Sequence, residues 1–175
     1  MTDHSIQHGP VAASATEADG TQGLRDQLMA ELCGLGATMT AAMAAQPGFV
    51  PCEHAFGVVI EGLEAAVSSS DESRLSEVAE DVRARSEHVS AHRGVPMGTA
   101  QMPAPATPEA ALLLAALRGI AADAACAMRL GRMDQDVDVF LVNALAALGA
   151  GDASHALLER AGQAALAASG LARQA

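Results

Sequence analysis

Lysine is absent from this 175-residue chain, and so are tryptophan and tyrosine. The first absence excludes Schiff-base chemistry and a Walker-type phosphate loop, since both depend on a lysine amine. All ten basic residues are arginines, scattered singly between Arg25 and Arg173 in a chain of net charge −11. Nucleic-acid binding needs a basic stripe that neutralises phosphates, and the sequence contains none. No nucleic acid and no membrane is therefore expected as a partner, whereas a basic protein is electrostatically permitted. Arginine without lysine, amid so much alanine and glycine, is a high-GC bacterial coding style.

Aromatic residues are equally scarce, at 2%: Phe49, Phe56 and Phe140 are all there are. Sandwiches and barrels draw heavily on aromatic and β-branched side chains, so the composition argues against both. What remains is an alphabet 50% hydrophobic and dominated by alanine and leucine, the best helix formers. The expected fold class is all-α, a helical bundle of about six helices. Cys33, Cys52 and Cys126 are an odd count without CxxC spacing, which fits reduced thiols better than a disulfide framework. No secretory leader is visible. The apolar stretches are broken before a span of about 18 residues, so no transmembrane helix is expected. Together these place the protein in the cytoplasm.

Residues 1–20 mix small and polar residues without a period and predict a disordered tail. A first helix is expected from about Thr21 to Ala45. Its stripe is Leu24, Leu28, Leu32, Leu35, Met39 and Met43, and Pro47-Gly48 ends it. Pro51 suits the first position of a second helix, with Phe56, Val59, Ile60, Leu63 and Val67 on its apolar face. Ser69 and Glu72 have capping-box spacing and open a third helix through Leu75, Val78, Val82 and Val89. Its many charges predict one buried face and a wide solvated one. Residues 93–107 carry Gly94, Pro96, Gly98, Pro103 and Pro105 and read as a linker. Thr107-Pro108-Glu109 is a helix start of cap, first-turn proline and acid, leading through Leu113, Leu117, Ile120, Ala124 and Met128. A fifth helix opens at Asp134. Asp152 caps a sixth that ends near Ser169. The organisation is thus a tail (1–20), a three-helix unit (21–92), a linker (93–107) and a second three-helix unit (108–172) that shares one core with the first.

An internal echo runs through these units. Leu28, Ala30, Leu32, Gly34, Leu35, Ala37, Ala42 and Met43 reappear 85 positions later, without a gap, as Leu113, Ala115, Leu117, Gly119, Ile120, Ala122, Ala127 and Met128. With small slips at loops, Phe56 and Val58 fall opposite Phe140 and Val142, and Asp71 opposite Asp152. Two readings stay open. An old duplication leaves this pattern and would set the two units about a pseudo-twofold axis. Equally, alanine matches are cheap, and any two amphipathic helices share a leucine period. A glycine at both Gly34 and Gly119 predicts a helix backbone passing close to each.

Motifs that carry chemistry are sparse. His88 and His92 lie four apart near a helix end and supply half a metal site at most; they are weak metal candidates, and a solvated helix end explains them better. No Glu-x-x-His occurs, which closes the di-iron bundle reading. Asp134, Asp136 and Asp138 match the start of a calcium loop, but Val139 and Leu145 stand where glycine and glutamate are required. Cys52 and His54 place a thiol near an imidazole at a helix start, although residues two apart point away from each other. Cys52 falls on the apolar face and is expected in the core. Thr2-Asp3-His4 would offer a copper-type terminus after removal of Met1, a chance feature of a loose tail. No metal and no cofactor is expected.

The leading expectation is a non-catalytic acidic helical module that binds a protein partner or itself, with a homodimer as one form. The alternative is a small-molecule-binding or enzymatic bundle accessory to a biosynthetic pathway. Its pocket would lie between the halves and be lined by Met39, Met43, Phe56, Cys126, Met128 and Phe140, with His54 as a further polar group.

Overall fold

The computed structural model describes residues 12–101 and 107–173, with side chains from residue 20 onward. Six helices and no strand occur among them: α1 (Ala12–Ala45), α2 (Glu53–Ser68), α3 (Glu72–Arg93), α4 (Pro108–Arg129), α5 (Gln135–Gly149) and α6 (His155–Arg173). The fold is an all-α bundle. Helix α1 starts at Ala12 rather than near Thr21, because the alanines and Glu17 of that stretch carry no helix breaker before Gly20. Residues 1–11, and with them the rest of the expected tail and the Thr2-Asp3-His4 terminus, lie outside the described residues, as do residues 102–106 of the linker.

Caps set the helix boundaries. Thr107 accepts a hydrogen bond from the Ala110 amide with Pro108 just inside the helix. Asp134 accepts from Asp136 and Val137 at the start of α5. Helix α3 is capped by Asp71, which accepts from Ser73 and Arg74, and not by Ser69, whose hydroxyl instead receives the Asp71 amide. At the start of α6, Asp152 holds the Ser154 amide, and Ser154 itself offers its carbonyl to the first helical turn. Gly94 ends α3 in the left-handed region at φ 64°, the usual position for glycine after a helix.

The core is built from the stripes. Leu28, Leu32, Leu35 and Met39 of α1 are fully buried, as are Leu75 and Val82 of α3, Leu113, Leu117 and Ile120 of α4, and Leu145 of α5. Helix α3 presents one buried face and a broad charged one. Helix α1 packs on α2, α3 and α5; α4 packs on α2, α5 and α6; α2 touches α3 and α5, and α5 touches α6. Exchanging α1, α2 and α3 for α4, α5 and α6 pairs these packings with one another and leaves α2 on α5 unchanged.

The α1–α5 seam is tight. A Cβ built on Gly36 would lie 2.8 Å from the Val142 carbonyl oxygen and 2.9 Å from the Ala146 amide nitrogen. Thr40 adds a hydrogen bond to Asn143 at 2.9 Å. Residues 94–101 run back across α1, where a Cβ on Gly34 would meet Gly98 oxygen at 3.1 Å. The close backbone at Gly34 therefore belongs to the linker and not to a helix. Gly119 has nothing within 4 Å of the equivalent point among the described residues, and the expectation of a close helix there is corrected.

By length and composition, two helices are apolar enough to cross a membrane: Gly20–Ala45 within α1, and α4. In α1, 67% of the most apolar window is buried inside the bundle, against 39% in α4. Single charges such as Arg25 and Glu31 in α1, or Arg118 and Asp123 in α4, interrupt the apolar runs yet leave the mean hydropathy high.

Candidate functional site

Helices α2 and α4 pack on each other, with Arg74 of α3 close by. The space between them is a cleft of about 680 Å³, open to solvent along one side. Small residues on both walls leave room: Gly57 and Ala65 on α2 and Ala125 on α4. A Cβ on Gly57 would still stand 3.5 Å from the Met128 methyl group. Val58, Ile60 and Met128 add an apolar floor. Charge pairs sit on the rim. Arg74 meets Glu61, and Arg129 lies 3.8 Å from Glu64; Arg74, Glu61 and Arg129 are exposed and Glu64 partly so, and each pair contributes little to stability.

Of the residues expected to line a pocket between the halves, only His54 and Met128 reach this cleft. Met39 is fully buried and Phe56 is 3% exposed, both within the core. Met43 packs half-buried against that core. Phe140 is buried beneath Arg160, whose guanidinium lies 5.8 Å from the ring centroid. Cys126 is half-buried on α4 and does not line the cleft. These side chains follow the leucine stripe into the interior, which is where an apolar period places them.

Cys52 is exposed at the N-cap of α2 and makes no side-chain cap, so its expected core position is corrected. Helix α2 begins one residue after it, and Pro51, itself buried, precedes the helix instead of opening it. Cys33 is the buried thiol. Burial pushes it up to about 12, which leaves it inert at neutral pH.

A second cavity, of about 180 Å³, lies where the start of α2 meets the end of α3. Phe49, Val50, Ala55 and Val89 make its apolar wall, and Arg85, His88, His92 and Arg93 its polar one. The two imidazoles stack with ring centroids 3.9 Å apart, and His92 Nδ1 lies 3.0 Å from the His88 carbonyl oxygen. The charge of His92, then burial, then Arg85 lower the His88 pKa. Arg93 lies over Phe49, 4.1 Å from its centroid, and donates to Gln46 at 3.2 Å. Among the described residues no group of three His, Cys, Asp or Glu side chains comes together as a metal site, and His88 and His92 have arginines for neighbours rather than further ligands.

One titratable group was not singled out from sequence as buried. Asp138 is 4% exposed, and burial, with Asp134 and Glu53 nearby, raises its carboxyl to about 6. No hydrogen bond or ion pair holds it among the described residues. Among the described residues the histidine contacts are His88 with His92, His92 with a carbonyl and His155 with Glu159, and none of them places an imidazole on a serine, threonine or cysteine side chain.

Helix α4 also carries an uncovered outer face. Ala111, Leu112, Ala115, Arg118, Gly119 and Ala122 are exposed along it, Leu112 by 61%, and Arg118 is the charged residue among them. No protein family matches the chain, and no curated protein is similar to it.

Proposed function

We propose that the protein is a non-catalytic helical interaction module that associates with a second copy of itself through the outer face of α4. One observation carries this reading: α4 is as apolar as a core helix, yet only 39% of its most apolar window is covered by the bundle. Uncovered apolar helix surface of this kind is characteristic of association sites. The exposed small residues Ala111, Ala115, Gly119 and Ala122 would let a facing helix approach closely, and Leu112 would anchor it. A face that pairs with itself gives a twofold dimer. The three free thiols and the acidic composition support placing it in the bacterial cytoplasm.

Leu112→Glu tests the proposal by light scattering coupled to size exclusion. Wild type is expected at twice the chain mass and the variant at the chain mass, with equal helicity by circular dichroism. A wild-type protein that stays monomeric at high concentration overturns it.

The internal echo is proposed to be an old duplication, supported by packings that map onto one another under exchange of the halves. A second reading, small-molecule binding between the halves, is favoured by the α2–α4 cleft, whose volume of about 680 Å³ falls within the usual range for ligand sites. Thermal-shift screening tests it. A ligand that stabilises wild type but not Gly57→Leu, which would fill the cleft, supports this second reading.

A further inference from the structure

We propose that the cavity between the start of α2 and the end of α3 binds a small oxyanion, a phosphoryl or carboxylate group carried on a short apolar body. The chain as a whole has net charge −11, yet this cavity is lined by two arginines and two histidines and by no carboxylate. Among the described residues neither Arg85 nor Arg93 has an acidic partner, although Arg74, Arg83 and Arg129 each do. The Arg85 Nε is buried without any hydrogen-bond partner. That nitrogen is closed to solvent and so to a ligand, which leaves the terminal guanidinium nitrogens of Arg85 and Arg93 as the donors an oxyanion would meet. Guanidinium groups bind such ligands through paired N–H donors.

The surroundings agree with an anion. Pro51, Cys52 and Ala55 bring the first turn of α2 to the cavity wall, and the Cys52 side chain caps none of its amides. The positive end of a sixteen-residue helix thus faces the same place, partly offset by Glu53 in its first turn. Glu61 and Asp81 line an adjoining cavity that shares Arg85 and His88, where Glu61 is engaged by Arg74; Glu53 and Glu87 are chain neighbours of lining residues but do not line the cavity themselves. Arg93 is held over Phe49 and by Gln46, so it is preorganised at the mouth. The volume, about 180 Å³, is roughly six times the space one water occupies in the liquid, which suits one anionic head and a few carbons against Phe49, Val50 and Val89. The same cations repel a metal ion.

This site is independent of the α4 face. The test is a titration of the full chain with inorganic phosphate at constant pH and ionic strength, followed by amide chemical shifts, with chloride as the control salt. Saturable shifts are expected at Cys52, Ala55, Arg85, His88, Val89, His92 and Arg93, with none saturating in chloride. Arg85→Gln is expected to weaken binding by about tenfold or more, as the loss of a charge-assisted hydrogen bond implies. His92→Gln, on an exposed position, serves as a second variant and is expected to weaken binding to a smaller extent. A parallel titration with butyrate identifies the preferred group: tighter binding of phosphate marks a phosphoryl ligand, tighter binding of butyrate a carboxylate with an apolar tail. Linear shifts for both anions, shifts that chloride reproduces, or unchanged affinity in a folded Arg85→Gln protein would overturn the proposal.

Discussion

Gly36 stands so close to Val142 that a single added methyl group would lie 2.8 Å from the Val142 carbonyl oxygen. The obstruction is the backbone of α5, which cannot rotate away. Gly36→Ala is therefore expected to destabilise. Overpacking costs about 1–3 kcal/mol, against about 1 kcal/mol regained in helix propensity. Urea or thermal unfolding followed by circular dichroism should show a lower midpoint.

Gly119→Ala is expected to act in the opposite direction. The same substitution on α4 meets nothing within 4 Å, so only the propensity gain remains, about 0.5–1 kcal/mol. Since Gly119 lies on the proposed association face, the comparison should be made below the concentration at which self-association sets in. A lower midpoint would show that this face is not open.

Thr38 is a buried polar junction. Its hydroxyl donates to Gly34 oxygen at 2.9 Å and accepts from the Gly98 amide at 2.8 Å. Its one proton being so engaged, Ser86 must be the donor in their 2.8 Å contact. Thr38→Val keeps the volume and removes both acceptor roles. A loss of about 1–3 kcal/mol is expected, together with faster hydrogen exchange at the Gly98 amide.

Asp138 makes the pH dependence of stability partly predictable. Its carboxyl titrates near 6 in the folded protein, above its value in the unfolded chain. The folded state then holds the proton more tightly, so this residue's contribution falls as pH rises from about 4 to about 6 and is level above that. Asp138→Asn is expected to raise stability at pH 7 by about 1 kcal/mol or more and to change it little at pH 4. Equal effects at both pH values would show that the carboxyl is not perturbed.

Much of the architecture was legible in the sequence because leucine and valine recur at helical spacing and the breaks between helices carry Gly, Pro or Asp. Leu28, Leu32, Leu35 and Met39 were placed inward by period alone, Thr107 by its chemistry as a cap, and Asp134 as the point where a helix opens. The site was less legible. Cys52 looked apolar in register, but it precedes the helix, where that register does not apply. Ser69 and Glu72 matched a capping box, yet Asp71 reaches the free amides directly. The signal for the cationic cavity was present as Arg85, His88, His92 and Arg93, spaced along one side of α3. Only the tertiary packing of Phe49 to Ala55 against that side turns four separate residues into a wall. Asp138 resembled its neighbours Asp134 and Asp136 because nothing local distinguishes an acid facing α2 from one facing water.

The way α1 leans on α5 while α4 leans on α2 bears on how the polypeptide must be made. Neither triplet of helices closes its own interior, since each lends its middle helix to the other. Fragments ending near residue 101 and beginning near 107 should consequently stay molten when produced separately and regain cooperative unfolding once mixed. On that reading, the two triplets would behave as partners whose association is built into one chain.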